Sequence, residues 1–225
     1  MPSNLSLTRA PVETTFPAYL NTVFRHHCPY LRPAQEANVL NIVDASTTTM
    51  VVEDIAGFAC LQTELLRIRR ASGPARNLNC TILALPKIPA GIVSRVHFLL
   101  KTLFTVKGLL FGKFWPGQGL VGSNGMSVID PPGPILVIRS AMQRADLSFF
   151  EGKSLPFRSD FLNAYDDGSV VVGPFLRISA EQLVDRIQEL GAKQDVSATL
   201  ELSRITYDGD ALLAEIHKKA LPNDR

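Results

Sequence analysis

The sequence predicts an α+β fold: a single domain in which helices cover a mixed, mainly antiparallel sheet. Apolar residues make up 46% of the chain and charged residues 20%, which is the balance of a globular protein that buries a substantial core. Segments with the two-residue period of strands alternate with segments that have the helical period. We expect a polar leader at residues 1–13 and one domain at residues 14–225.

The first half of the domain alternates helices and strands. A helix that begins near Thr15 must end before Pro29, because the residue preceding a proline is kept out of the α region. The run NVLNIVDA predicts a strand, and a long helix with the basic end RIRR follows it. The run NCTILALP predicts a second strand, and an apolar stripe in residues 90–106 predicts another helix.

The glycine-rich middle of the chain predicts two strands around a loop. Residues 109–114 form the first of these strands, and PILVIRSA, which is entered through DPPGP, forms the second. The loop WPGQGLVGSNG lies between them. We interpret this loop as a flap over a pocket, with Phe114 and Trp115 as apolar walls that contact the substrate; the alternative is a simple surface loop.

The last third of the chain predicts mainly helices. Short helices are expected at residues 144–150 and 155–165, and SVVVGPFLRIS is expected to be irregular. Ser179-Ala180-Glu181-Gln182 is a capping box, in which the serine and glutamine side chains satisfy free backbone N–H groups at the start of a helix. That helix is expected to stop at Gly191, and a final helix to occupy residues 209–221.

Charge and composition argue against several classes of function. The net charge is +2 and the basic residues are dispersed, whereas nucleic-acid binders concentrate them in a stripe. No apolar run resembles a signal peptide or reaches the roughly 20 residues that span a bilayer. Three widely spaced cysteines predict neither a disulfide framework nor a zinc knuckle. We expect a cytoplasmic protein without a nucleic-acid partner or transmembrane segment. A homodimer is compatible with the sequence.

The segment FRHHCPYLRP concentrates reactive side chains. His26 and His27 are expected at a helix C-terminus, where they point about 100° apart, so one of them is expected to face a pocket. Tyr30 and Arg32 are expected in an extended piece, where alternate side chains share a side. We interpret a histidine as the catalytic base, Tyr30 as the acid and Arg32 as a substrate-binding anion clamp. The alternative is structural, with Cys28 and Tyr30 packed in the core and the histidines capping the helix.

A second set of candidates follows the strand PILVIRSA. Catalytic and binding groups often lie where strands end, so Arg139 is predicted to polarise a carbonyl or enolate oxygen and Asp146 to bind the substrate. The alternative is a surface arginine and a helix N-cap aspartate. His97 and His217 are isolated on amphipathic helices, so no metal site is predicted.

Two segments resemble a poorly characterised family of bacterial and fungal domains. CPYLRPAQEANVLNIVD is similar to that family's CPF-like segment and the apolar strand after it. GLLFGKFWPGQ, followed by DPPGPILVIRSAMQRADLSFF, resembles its second signature, a GxFxP turn, a proline-flanked strand and an RxMxxxDLxF-like ending. The resemblance covers roughly residues 28–190. It is carried by Gly112, Phe114, Pro116, Pro134, Arg139, Met142, Asp146, Leu147 and Phe150.

The resemblance implies a role in specialised metabolism, because members of the family often accompany biosynthetic genes. It also implies a distant similarity to CPF-motif haem proteins, in which a histidine ligates iron. Relatives often have histidine where this chain has Trp115, a departure that weakens the haem expectation. His26, His27 or His97 would then be the substitutes.

Three hypotheses about function follow. The first is a biosynthetic enzyme of the cyclase, isomerase or lyase (dehydratase) type that needs no cofactor and uses general acid/base catalysis on a small, mostly apolar substrate. The second is a haem-dependent oxygenase-like enzyme. The third is a non-catalytic protein that binds a ligand or recruits a partner of a biosynthetic pathway.

Overall fold

The computed structural model describes the chain in seven stretches. These are residues 16–26, 28–45, 52–72, 76–121, 125–142, 145–191 and 205–220. Their α-helices are α1 (Phe16–His26), α2 (Leu31–Glu36), α3 (Val52–Ser72), α4 (Ala90–Phe104), α5 (Arg158–Leu162), α6 (Ala180–Gly191) and α7 (Gly209–Ala220). Their strands are β1 (Leu40–Asp44), β2 (Cys80–Ala84), β3 (Leu109–Phe114) and β4 (Ile135–Ser140). The predicted leader at residues 1–13 lies outside the described residues.

The four strands form one open sheet in the order β1-β2-β4-β3. β1 pairs with β2 in parallel, whereas β4 runs antiparallel to both β2 and β3. The predicted α+β class is therefore confirmed, as is the mixed and mainly antiparallel sheet. Among the described strands, β4 is the one neighbour of β3, so β3 forms an edge of this sheet.

Helices cover both faces of the sheet because side chains alternate along each strand. In β2, Leu83 packs into a core with α3 and α4, while Cys80, Ile82 and Ala84 pack against α1 and α2. β2 is buried along its whole length, as expected of a central strand with a helical layer on each side.

Most predicted elements are confirmed, with ends shifted by a few residues. The capping box before α6 is present: the Gln182 N–H donates to Ser179 Oγ (3.1 Å), and the Ser179 N–H donates to Gln182 Oε1 (2.9 Å). The first of the two short helices predicted after β4 appears instead as a 3₁₀ turn at Leu147–Phe150. The second is α5, which is shorter than predicted and follows a 3₁₀ turn at Gly152–Phe157. Residues 173–175 form a further 3₁₀ turn inside the segment predicted to be irregular.

The extended piece predicted for Tyr30 and Arg32 is wrong. Leu31–Glu36 is the helix α2, and Tyr30 already has α-region dihedrals as its N-cap. Pro33 lies in the first turn of α2. Backbone N–H groups in that turn have no acceptor within the helix, so a proline, which lacks an N–H, is tolerated there. Tyr30 and Arg32 consequently do not share a side, and Arg32 Nε instead donates to Glu36 Oε1 one turn later (3.0 Å).

The segment before α7 packs closely against α3. The ring of Tyr207 lies on Gly57, and a Cβ added at that glycine would overlap three ring carbons. Tyr207 also forms a β-bridge with Leu176. Gly57 therefore lets the chain at residues 205–208 approach the helix backbone.

None of the helices in the described stretches is long and apolar enough to cross a bilayer.

Candidate functional site

The structure brings Tyr30, Arg139 and Asp146 together. The guanidinium of Arg139 lies over the Tyr30 ring and forms a bidentate ion pair with Asp146, which is fully buried. Asp146 also accepts the N–H of Met142 (2.6 Å) and makes no side-chain cap to the turn that follows it. Both terminal nitrogens of Arg139 are thus used by Asp146, so the cluster ties β4 to the next turn and to the start of α2.

The other predicted site residues lie elsewhere. The ion pair of Arg32 with Glu36 is exposed: 71% of the Arg32 side chain and 64% of the Glu36 side chain are accessible to solvent. Phe114 packs partly buried against the core under α1 and α2. The side chain of His26 and the whole of His27 lie outside the described residues, so their catalytic assignment stays a prediction.

A second group of polar side chains lies between α4 and the edge strand β3. Ser94, His97 and Lys101 recur at helical spacing along one side of α4, and Lys113 of β3 contacts Ser94 and acts electrostatically on His97 and Lys101. Lys113 Nζ donates to Ser94 Oγ (2.6 Å) and lies 5.6 Å from the centroid of the Trp115 ring. We call His97, Lys101 and Lys113 the edge site.

Lys101 is the most unusual member of the edge site. The residue is only 7% exposed although it carries an amine. Its Nζ lies 5.4 Å from the centroid of the Phe150 ring and 5.5 Å from that of Phe157. Burial lowers the pKa of Lys101, and the charge of Lys113 lowers it further. The neutral amine is therefore more populated at Lys101 than at an ordinary lysine.

His97 has a defined tautomer. Its Nε2 lies 3.1 Å from the carbonyl oxygen of Phe111, and because a carbonyl only accepts, Nε2 carries the hydrogen. Burial lowers the pKa of His97 to about 4, with the nearby charges of Lys113 and Lys101 acting in the same direction. The imidazole is therefore neutral at physiological pH, and its Nδ1 holds a lone pair.

The Phe111 carbonyl is available to His97 because of the strand register. The Ala141 N–H donates to the Gly108 carbonyl (3.0 Å), which makes these residues a hydrogen-bonded pair in the antiparallel ladder. Backbone groups alternate in direction along the strand, so those of Phe111 point away from β4. His97 reaches this outward carbonyl from α4.

The edge site offers acid/base and electrostatic chemistry. Lys101 supplies an amine that loses its proton more readily than usual, and Lys113 supplies a cation held by Ser94. The rings of Phe150, Phe157 and Trp115 supply apolar surface beside these groups. Titratable groups with pKa values moved by burial and by a specific charged neighbour are typical of functional sites.

Another buried charge cluster has a structural explanation. Glu64 in α3 is ion-paired with Arg67 (2.7 Å) and accepts the N–H groups of Val171 (2.6 Å) and Val172 (3.3 Å). Arg67 is also ion-paired with Asp166. Burial raises the pKa of Glu64, against the opposing effect of Arg67 and the two backbone donors. These contacts fasten residues 166–172 to α3.

The cysteines show no sign of a nucleophile. Cys60 and Cys80 are buried, and burial raises the pKa of Cys80 to about 12. Cys28 is partly buried and packs in the core under α1 and α2. This placement agrees with a structural interpretation of the cysteines.

Of the described histidines, His97 uses its Nε2 on the Phe111 carbonyl and does not fit an axial haem ligand, and His217 is an exposed residue of α7. The side chain of His26 and the whole of His27 lie outside the described residues, so the haem alternative stays a prediction. Across the same described stretches, no three histidine, cysteine, aspartate or glutamate side chains come together to hold a metal ion.

The apolar periodicity of α4 does not reveal the edge site. Lys101 lies on the side of α4 that carries Ser94 and His97, away from the apolar stripe through Val96 and Leu99, so the pattern predicts an exposed lysine. Its burial comes with the rings of Phe150 and Phe157, which belong to a distant segment. The position of Lys113 likewise depends on how α4 packs across β3 and is not encoded in local spacing.

Comparison with protein families gives a match over residues 26–168 to a family described as "Domain of unknown function (DUF6875)". The matched residues include all four strands and every member of the edge site. A poorly characterised domain family, as expected from the sequence, is therefore confirmed, whereas the CPF-like segment and the similarity to haem proteins stay predictions. No curated protein and no solved structure matches the chain.

Proposed function

The chain belongs to the family described as "Domain of unknown function (DUF6875)", and we propose that it is an enzyme acting on a small molecule by general acid/base catalysis without a cofactor. The reaction is of the cyclase, isomerase or lyase type and belongs to biosynthesis. The observation that supports this proposal is the placement of Lys101 between two aromatic rings and beside Lys113.

In this proposal the neutral amine of Lys101 removes a proton from the substrate. An efficient general base has a pKa near the working pH, and an ordinary lysine lies well above it. Burial and the charge of Lys113 move the pKa of Lys101 in the required direction. After the transfer, the same group holds the proton as an ammonium and can return it to another atom.

Lys113 has the electrostatic role. Proton removal next to a carbonyl places negative charge on oxygen, and a fixed cation stabilises that charge most where water is excluded. Lys113 is oriented by its hydrogen bond to Ser94, so little reorganisation is needed when the charge develops. This is the role predicted from the sequence for Arg139, which is already ion-paired with Asp146.

The substrate is small and mostly apolar, with a polar group at one end. Phe150, Phe157 and Trp115 provide apolar surface, while the nitrogen atoms of Lys101 and Lys113 provide polar contacts. Apolar walls with a few placed polar groups are the usual composition of small-molecule sites. Trp115 thus keeps the substrate-binding role predicted from the sequence.

The test compares Lys101 variants on a metabolite extract of the organism that carries the gene. Purified wild-type protein is expected to deplete at least one metabolite, as measured by untargeted mass spectrometry. Lys101→Met, which keeps the side-chain length and removes the amine, is expected to abolish the depletion. Lys101→Arg keeps the cation over the two rings but has no accessible neutral form, so it is expected to fail as well.

The exposed lysine Lys87 provides a matched control. Lys87→Met removes an amine from the turn before α4 and is expected to leave the depletion unchanged. If Lys101→Met or Lys101→Arg depleted the same metabolites at the wild-type rate, the proposed catalytic role of the amine would be wrong. The folded state of each variant is checked by thermal unfolding before the comparison.

A further inference from the structure

We propose that Lys101 is a covalent nucleophile, whose Nζ condenses with an aldehyde or ketone substrate to form an imine against the rings of Phe150 and Phe157. The inference rests on the proposed function and deepens it, because it assigns a substrate class to the same site. It extends the role of Lys101 from moving a proton to holding the substrate.

The surroundings of Lys101 are those of a nucleophilic amine. A lysine becomes nucleophilic when it is removed from water or placed next to another cationic group. Lys101 meets both conditions, since the residue is 7% exposed and Lys113 is close enough to lower its pKa. His97 adds no positive charge of its own at neutral pH, because burial keeps its imidazole neutral.

The apolar surroundings favour condensation over hydrolysis. Imine formation releases water, and a site that excludes water protects the product from the reverse reaction. The rings of Phe150 and Phe157 lie on the amine, and Phe157 packs edge to face on Phe98, with ring centroids 5.9 Å apart. Two aromatic rings thus lie against the position where the new bond forms, and Phe98 packs on one of them.

The covalent step balances without any further reactant. The lone pair of the neutral Lys101 amine attacks the carbonyl carbon, and the π electrons of the carbonyl move to oxygen. A proton passes from nitrogen to that oxygen to give a carbinolamine. A second proton, taken up from the solvent, lets the hydroxyl leave as water while the carbon–nitrogen double bond forms. Addition of water reverses these steps and releases the carbonyl compound.

An imine also accounts for the reaction class. Once protonated, it withdraws electrons from the neighbouring carbon and makes a proton or carboxylate there easier to lose. Isomerisation, elimination and ring closure can all begin from the resulting enamine. Covalent attachment therefore links the aldehyde or ketone group of the substrate to the lyase, isomerase or cyclase type of reaction proposed above.

The test traps the imine by reduction. Purified full-length protein is incubated near neutral pH with acetone or pyruvate, a neutral and an anionic carbonyl probe, together with sodium cyanoborohydride. Peptide mass spectrometry then locates the reduced adducts. We expect Lys101 to be modified faster than the exposed Lys87, because burial and the charge of Lys113 lower the pKa of Lys101 and so enlarge the neutral fraction of its amine.

Two variants make the result specific. Lys113→Met removes the neighbouring charge, so the pKa of Lys101 is expected to rise and its modification to slow. Lys87→Met leaves the edge site unchanged and is expected to have no effect on Lys101. Equal rates at Lys101 and Lys87 in the wild-type protein would overturn the covalent proposal, and so would an unchanged rate at Lys101 in Lys113→Met.

The outcome also separates this inference from the proposed function. If Lys101 is not trapped but Lys101→Met still abolishes metabolite depletion, the covalent step is wrong and Lys101 remains a non-covalent base. If neither trapping nor depletion depends on Lys101, both proposals are wrong. Trapping at Lys101 by pyruvate but not by acetone supports imine formation and assigns an anionic carbonyl substrate, since Lys113 would attract its carboxylate.

Discussion

The guanidinium carbon of Arg139 lies 4.7 Å from the centroid of the Tyr30 ring. Arg139 belongs to β4, whereas Tyr30 is the N-cap of α2. The contact therefore joins the sheet to the helix that precedes β1. It also brings together two residues that the sequence predicts to be catalytic.

The first prediction separates stacking from acid catalysis at Tyr30. Tyr30→Phe keeps the ring over Arg139 and is expected to unfold at nearly the wild-type temperature. Tyr30→Leu removes the ring and is expected to lower the free energy of unfolding by about 1 kcal/mol, the usual strength of a partly buried cation–π contact. Urea denaturation measures both values. Loss of metabolite depletion in a fully folded Tyr30→Phe protein would instead support the acid role predicted from the sequence.

The second prediction concerns the buried ion pair of Glu64 and Arg67. Arg67→Met leaves the Glu64 carboxylate buried without its cation, so the free energy of unfolding is expected to fall by about 3 kcal/mol. Hydrogen exchange is expected to accelerate at Val171 and Val172, whose N–H groups donate to Glu64.

The exposed pair of Arg32 and Glu36 is the control for this prediction. Glu36→Gln is expected to change the free energy of unfolding by less than about 0.5 kcal/mol, because water screens the pair. A comparable loss in Arg67→Met and Glu36→Gln would contradict the assigned role of the buried cluster.

The third prediction is a pH dependence caused by His97. Its imidazole titrates near 6.5 in the unfolded chain and at about 4 in the folded protein. Between these values the unfolded state binds more protons, so the free energy of unfolding falls as the pH is lowered. The expected loss across this window is about 3 kcal/mol.

His97→Gln is the matched variant for the pH measurement. The glutamine amide can still donate to the Phe111 carbonyl but does not titrate. Its free energy of unfolding is expected to fall less steeply than that of the wild type between pH 6.5 and about 4. Parallel curves for the two proteins would show that His97 remains protonatable when folded.

The fourth prediction is that Gly57→Ala destabilises the wild-type protein but stabilises a variant that lacks the Tyr207 ring. Gly57→Ala places a Cβ inside the ring of Tyr207 and is expected to destabilise the protein by about 2 kcal/mol. In a Tyr207→Ala background the clash is gone, and the same substitution is expected to stabilise α3 by up to about 1 kcal/mol through helix propensity. A double-mutant cycle measured by urea denaturation tests both values.

Local sequence patterns predict most elements of this fold because those elements satisfy local rules. The strands β1 to β4 follow from short apolar runs bounded by proline, glycine or polar residues, and α6 follows from its capping box. The exception is α2, where Pro29 and Pro33 suggested an extended chain. A proline in the first turn of a helix has no effect on the hydrogen-bond pattern, so the sequence there permits both structures.

The candidate site is harder to predict from the sequence than the fold is, because its residues come from distant segments. Arg139 and Asp146 lie close together in the chain, and their proximity is predictable from the end of a strand. Lys101 and Lys113 approach each other only when α4 packs across the edge of the sheet. Local spacing describes neither that packing nor the burial that changes the pKa values.

The contact of His97 with the Phe111 carbonyl has a consequence for self-association. An edge strand with unpaired backbone groups is a template on which another chain can add a strand. At Phe111 the outward acceptor is already occupied, and an incoming strand would have to displace the imidazole. His97 therefore protects the middle of β3 against edge-to-edge aggregation, and the protection persists in acid, because protonation of Nδ1 leaves the hydrogen on Nε2.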